Sequence, residues 1–148
     1  AEGPYHSGPA AVVRLVVRHG NVEGAGQVTL ESSGLGTYDV TWAARTEENP
    51  GGRTSPEELI AAAHSSCYSM ALSNGLAKAG TPPTSLRTTA AVTFQPGTGI
   101  TGIHLSVRGE VPGMSAEDFQ AAAEEAKQGC PVSQALRATP ITLEATLA

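Results

Sequence analysis

The segment from residue 55 to residue 80 constrains this chain more than any other, because it combines unambiguous helix boundaries with an almost complete lack of bulky side chains on several faces. Ser55 stands where an N-cap belongs, Pro56 fits the first helical position, and Glu58 follows the cap by three residues as in a capping box. The run continues as an Ala-rich helix to residue 79, where Gly80 and then Pro82-Pro83 stop it. Ala61, Ala62, Ala63, Ser65, Ser66, Ala71 and Ser73 leave little volume around its axis. Such a helix allows a neighbour to come very close. The pattern predicts a central helix packed either against a second copy in a dimer or, in the plainer alternative, on a sheet.

The remaining periodicities predict strands around it. Residues 12–17 are β-branched and apolar, and 27–32 and 38–43 alternate polar with apolar, with Gly20, Gly24, Gly26, Gly34 and Gly36 between them. This reads as an N-terminal three-stranded meander. Two longer strands are expected at 86–94 and 100–111, turned by Pro96-Gly97-Thr98-Gly99. Ser115 opens a second helix to about 128, with Gly129 as its stop; a short third helix covers 131–137, and a final strand 141–147. Strands broken by helices without a βαβ rhythm give an α+β fold. At 148 residues the chain has the size of a single domain, with residues 1–9, rich in Gly and Pro, reading as a tail.

Composition excludes several functions. A net charge of −5 with no cluster of Lys or Arg argues against nucleic-acid binding. No run approaches the ~18 apolar residues of a membrane span, and a secretory leader pattern is absent from the start of the sequence, so a cytoplasmic location is expected. Two cysteines are too few for a secreted disulfide scaffold.

Those two cysteines carry the chemistry. Cys67 lies well inside the long helix, and Cys130 in Gly129-Cys130-Pro131-Val132-Ser133, where the third helix starts. Read as the N-cap of that helix, Cys130 gains thiolate stabilisation from the helix N-terminus. Cys67 is too far along its own helix for that and requires a nearby cation, with Arg45, Arg18, Arg53 and His64 as candidates. Against this stands the reading of both residues as small apolar core fillers. Glu57 and Glu58 are explained by the helix dipole alone; Glu57 precedes Cys67 by ten residues, roughly 15 Å along the axis, and reaches the thiol only across an interface or through an Arg. A hydrolase lacks its nucleophile elbow, and a zinc site from His64, Cys67, Cys130 and His104 has no compact spacing. His6 and His19 read as surface residues, and Tyr38 and Trp42 as core or pocket wall.

The stretch Thr54-Ser55-Pro56-Glu57-Glu58-Leu59-Ile60-Ala61-Ala62-Ala63-His64-Ser65-Ser66-Cys67, together with Gly129-Cys130-Pro131-Val132-Ser133, resembles the OsmC/Ohr family of osmotically inducible and organic hydroperoxide resistance proteins, and more closely its OsmC branch. The resemblance runs from about Val12 to the end of the chain. It implies a thiol-dependent peroxidase without metal, haem or flavin, folded as an intertwined homodimer around two central helices. It assigns Cys67 as the peroxidatic and Cys130 as the resolving residue, Glu57 as the family's glutamate, and Arg45, with Arg18 in reserve, as its arginine. It further implies an organic hydroperoxide substrate, inorganic peroxide as an open question, and a dithiol reductant such as a lipoylated protein. The rival from another class is a non-catalytic dimeric stress or small-molecule-binding module whose thiols are inert.

Overall fold

The computed structural model describes residues 11, 13–17 and 25–148. The expected tail at 1–9, Val12, Arg18 and His19 lie outside the described residues. The chain divides into two compact units, one ending at Ser55 and the other running from Pro56 to Ala148.

The first unit is the expected meander. Strands β1 (Val13–Val17), β2 (Gly26–Leu30) and β3 (Thr37–Val40) pair in that order, both pairs antiparallel, with Val28 opposite both Leu15 and Tyr38. Between β2 and β3 the chain turns on Gly34, whose φ of +71° is open to glycine at little cost. Leu30 and Gly36 then bond across the turn. The third strand is shorter than the alternation predicts. Trp42 adopts right-handed helical angles and Ala43–Arg45 forms a turn of 3-10 helix, opened by the Thr41 hydroxyl accepting from the Ala44 amide at 3.1 Å. The apolar alternation runs on through Trp42 and Ala43, but a local side-chain bond ends the strand first.

In the second unit, helix α1 (Pro56–Lys78) is bounded as the sequence indicates. Its C-terminus closes in a Schellman arrangement: the Gly80 amide, at φ +87°, reaches the Ala77 carbonyl, and the Thr81 amide reaches that of Leu76. Strands β4 (Ser85–Gln95) and β5 (Gly99–Glu110) form a long antiparallel hairpin with a bulge at Thr93/Phe94. Helix α2 (Ala116–Gly129) starts on Ser115, which accepts from the Asp118 amide at 3.1 Å. Helix α3 (Pro131–Ala135) is two residues shorter than predicted, and β6 (Ile141–Leu147) is as expected.

The pairing of β6 departs from the sequence reading. It lies parallel to β5, Leu105 opposite Leu143 and Val107 opposite Ala145. The connection through α2 and α3 is therefore one crossover unit inside an otherwise antiparallel sheet, which the short, broken helical stretch does not announce. Parallel strands require such a crossover.

One face of α1 presents His64, Tyr68, Leu72 and Leu76 every four residues, all buried. They join Ile103, Leu105 and Val107, which alternate along β5, and Phe119, Ala123 and Ala126 from α2. Gly109 has no side chain because Phe119 fills its space: a Cβ there would come within 2.7 Å of the Phe119 ring. Tyr68 ties α1 to α2 by donating to the Ala123 carbonyl at 2.9 Å, and Ser69 ties it to β4 through Thr88 at 2.7 Å. The opposite stripe of α1, Ala62, Ser66, Met70, Asn74 and Ala77, is exposed.

Candidate active site

Packing of α3 against α1 brings the two cysteines together. Cys130 occupies the joint between α2 and α3: its amide donates to Ala126, closing α2, and its carbonyl accepts from Gln134, opening α3. The backbone is thus held from both sides at extended angles, φ −60° and ψ 124°, and the side chain is completely buried. Cys67 is partly buried, three turns into α1 as its sequence position requires. Both thiols are free, and they are near enough to act on each other's ionisation.

The helix N-terminus of α3 serves the other sulfur from the one expected. Cys130 makes no side-chain capping bond. The amide of Val132, second residue of α3, is bonded to Cys67. An N-terminal amide left over by helix geometry is satisfied by a sulfur from a different helix.

Burial nonetheless pushes the Cys67 thiol above the ordinary cysteine range; the Val132 amide pulls it down, and the neighbouring Cys130 adds to the rise, since two thiolates side by side repel. The expectation that Cys67 stands ionised is therefore not met by these neighbours alone. His64 does not supply the missing charge. It is fully buried, burial lowers its pKa, and the imidazole is neutral at pH 7. Its Nε2 lies 2.7 Å from the Ser133 hydroxyl, while Nδ1 is buried with no partner among the described residues. The sequence reading placed His64 among the cations and did not consider Ser133 or the Val132 amide; the spacing of three residues from each cysteine was the available signal.

Of the other candidates, Glu57 is buried in the first turn of α1. Arg45 ends the 3-10 turn of the first unit, its guanidinium 4.6 Å from the centre of the Trp42 ring. The indole is exposed, so Trp42 is not part of a core. Tyr38 is likewise exposed. Arg18 lies outside the described residues. His104, on the open face of β5, pairs with Thr142 at 2.6 Å and faces Glu144 rather than the sulfurs. Among the described residues no group of three or more His, Cys, Asp or Glu side chains is placed to hold a metal ion.

The chain is similar to known proteins in sequence and in fold. The family described as OsmC-like protein matches residues 49–145, a span that includes Glu57 and both cysteines. The chain is 46% identical over 124 residues to the peroxiredoxin OsmC of Escherichia coli (strain K12), covering 82% of this chain and 85% of that protein, and equally to its counterpart from Shigella flexneri. Among solved structures, an OsmC-like protein of Mycoplasma pneumoniae superposes with a TM-score of 0.74 at 11% identity, over 95% of this chain and 98% of the other. An organic hydroperoxide resistance protein OsmC of Legionella pneumophila does so with a TM-score of 0.69 at 20% identity, over 97% and 99%. OhrB of Bacillus subtilis gives 0.66 at 23%, over 94% and 98%. These structures share the α+β fold.

Proposed function

The chain belongs to the OsmC-like protein family, and on that premise we propose that it is a cysteine-based peroxidase of stress defence that reduces organic hydroperoxides. The curated relatives at 46% identity are named peroxiredoxins, which supports the enzyme class. The single observation that carries the mechanism is the pair of free, mutually interacting thiols on α1 and at the head of α3.

In the proposed cycle the Cys67 thiolate attacks the terminal oxygen of ROOH. The O–O bond breaks, ROH leaves with a proton, and the sulfur is oxidised to a sulfenic acid. The Cys130 thiol then attacks that sulfur, water leaves, and a Cys67–Cys130 disulfide results. A dithiol, such as a lipoylated protein, returns both sulfurs to thiols and is itself oxidised to a disulfide. No metal or organic cofactor takes part. Cys67 is the partly exposed member of the pair and Cys130 the buried one, the order that lets a substrate reach the first and not the second.

The raised thiol of Cys67 makes a cation necessary to the proposal. Arg45 fills that role, with Glu57 as the carboxylate that orients it; Arg18 is the alternative cation. The assembly is a homodimer in which the exposed stripe of α1 meets its copy, Met70 at its centre with 71% of its surface open. Among the described residues no helix is long and apolar enough to cross a membrane, and a cytoplasmic location completes the proposal.

The same raised thiol is what favours the rival reading, a binding module with inert cysteines. Stopped-flow oxidation of the reduced protein by an organic hydroperoxide and by hydrogen peroxide in parallel separates the two. Rapid consumption of the organic hydroperoxide with one disulfide formed per molecule supports the peroxidase; slow, unselective reaction at both sulfurs supports the module.

A further inference from the structure

His64 and Ser133 form a second cross-link between the helices that carry the cysteines, with their side-chain atoms 2.7 Å apart. Each lies three residues from its cysteine, but in opposite chain directions: His64 precedes Cys67 on α1, and Ser133 follows Cys130 on α3. The pairs 64–133 and 67–130 are thus successive rungs running in opposite chain directions, about 4.5 Å apart along α1. Both side chains of the outer rung are buried, and each is the other's partner.

From this register we infer that His64 and Ser133 are positioning residues that set how α3 is seated on α1, and thereby hold the Cys130 thiol and the Val132 amide against the Cys67 sulfur. The inference rests on the proposed thiol chemistry for its meaning, though not for its test. The register has to be specified by something, because α3 is only five residues long. Apolar packing is non-directional and tolerates slippage, whereas a buried hydrogen bond does not. The neutral imidazole and the serine hydroxyl share one hydrogen bond at Nε2, the tautomer deciding which of them donates, and Nδ1 has no partner among the described residues. A buried polar pair whose hydrogen bond is made in one seating of α3 supplies the direction that apolar packing lacks.

The test uses the full-length reduced protein equilibrated with glutathione redox buffer, which reports the effective concentration of one thiol toward the other without any peroxide. Ser133→Ala and His64→Leu should each lower that effective concentration about tenfold, the size of one lost buried hydrogen bond. The double variant should be no worse than the singles, and His64→Gln, which keeps a donor near the Nε2 position, should recover most of the loss. Thermal unfolding of each variant accompanies the measurement, and Ser133→Ala removes only one oxygen, so it is the variant expected to fold unchanged. An unaltered effective concentration in Ser133→Ala, or losses that add in the double variant, would overturn the inference. Because glutathione drives the closure, failure of the wild-type protein to consume hydroperoxide would contradict the peroxidase reading and leave this result standing on its own.

Discussion

The two compact units solve the problem of apolar surface differently. From Pro56 onward, a helix face, alternate residues of β5 and one side of α2 close on each other, and Met70 is the one large apolar side chain described there as exposed. Before it, Val28 and Ala44 are the buried apolar side chains among the described residues, while Val13, Leu35, Tyr38 and Trp42 are exposed, Leu35 by 75%. The second unit carries its own core and both sulfurs. The first holds the meander, Arg45 and most of the exposed large apolar side chains. Stability is local in the one, and the charge that the chemistry calls for is sought in the other.

The contrast breaks first on core truncation. Leu105→Ala should cost about 2–5 kcal/mol, whereas Leu35→Ala should stay within ~0.5 kcal/mol, both read by urea denaturation. A comparable loss at Leu35 would mean that the meander is covered in the assembled protein.

The division of labour is tested by Arg45→Ala. Without a nearby guanidinium the thiolate fraction at neutral pH should fall roughly 10- to 1,000-fold, and the alkylation profile of Cys67 should move to higher pH. The sign follows because a guanidinium stabilises the ionised form of a neighbouring thiol. An unmoved profile would transfer the role to Arg18 or to no arginine.

Within the second unit, Gly109→Ala should destabilise by about 1–3 kcal/mol as the Phe119 ring is displaced, measurable as a lower denaturation midpoint. Neutral behaviour would show the α2–β5 contact to be looser than the 2.7 Å approach indicates.

The smallest effect concerns His64. Burial holds its folded pKa below 6.5, so unfolded chains take up a proton that folded ones refuse. Its contribution to stability is present above pH 6.5 and fades as pH falls through the folded value. The melting temperature should decline from pH 7 to pH 5, and His64→Gln should flatten that decline. An equal slope in the variant would assign it to other groups.

What the sequence made legible was local. The start of α1 at Ser55-Pro56 and its end at Gly80 are written in three or four adjacent residues, as is the cap at Ser115, and each is found where those residues put it. Cys130 at the head of α3 was readable from Pro131 for the same reason. The parallel seat of β6 beside β5 was not, because strand pairing is decided by partners some forty positions away. Nor was the protonation of His64, which depends on burial that only the folded core creates. The pairing of Cys67 with Cys130 is implied by the resemblance, whereas the Val132 amide at Cys67 and the His64–Ser133 contact depend on packing.

The most direct test is the fate of the two sulfurs after one equivalent of an organic hydroperoxide is added to the reduced protein, followed by intact mass and peptide mapping. The account predicts loss of two hydrogens, one alcohol released, and a single cross-link joining the peptides that contain Cys67 and Cys130. Persistent hydroperoxide, or Cys67 carrying added oxygen while Cys130 remains a free thiol, would contradict it.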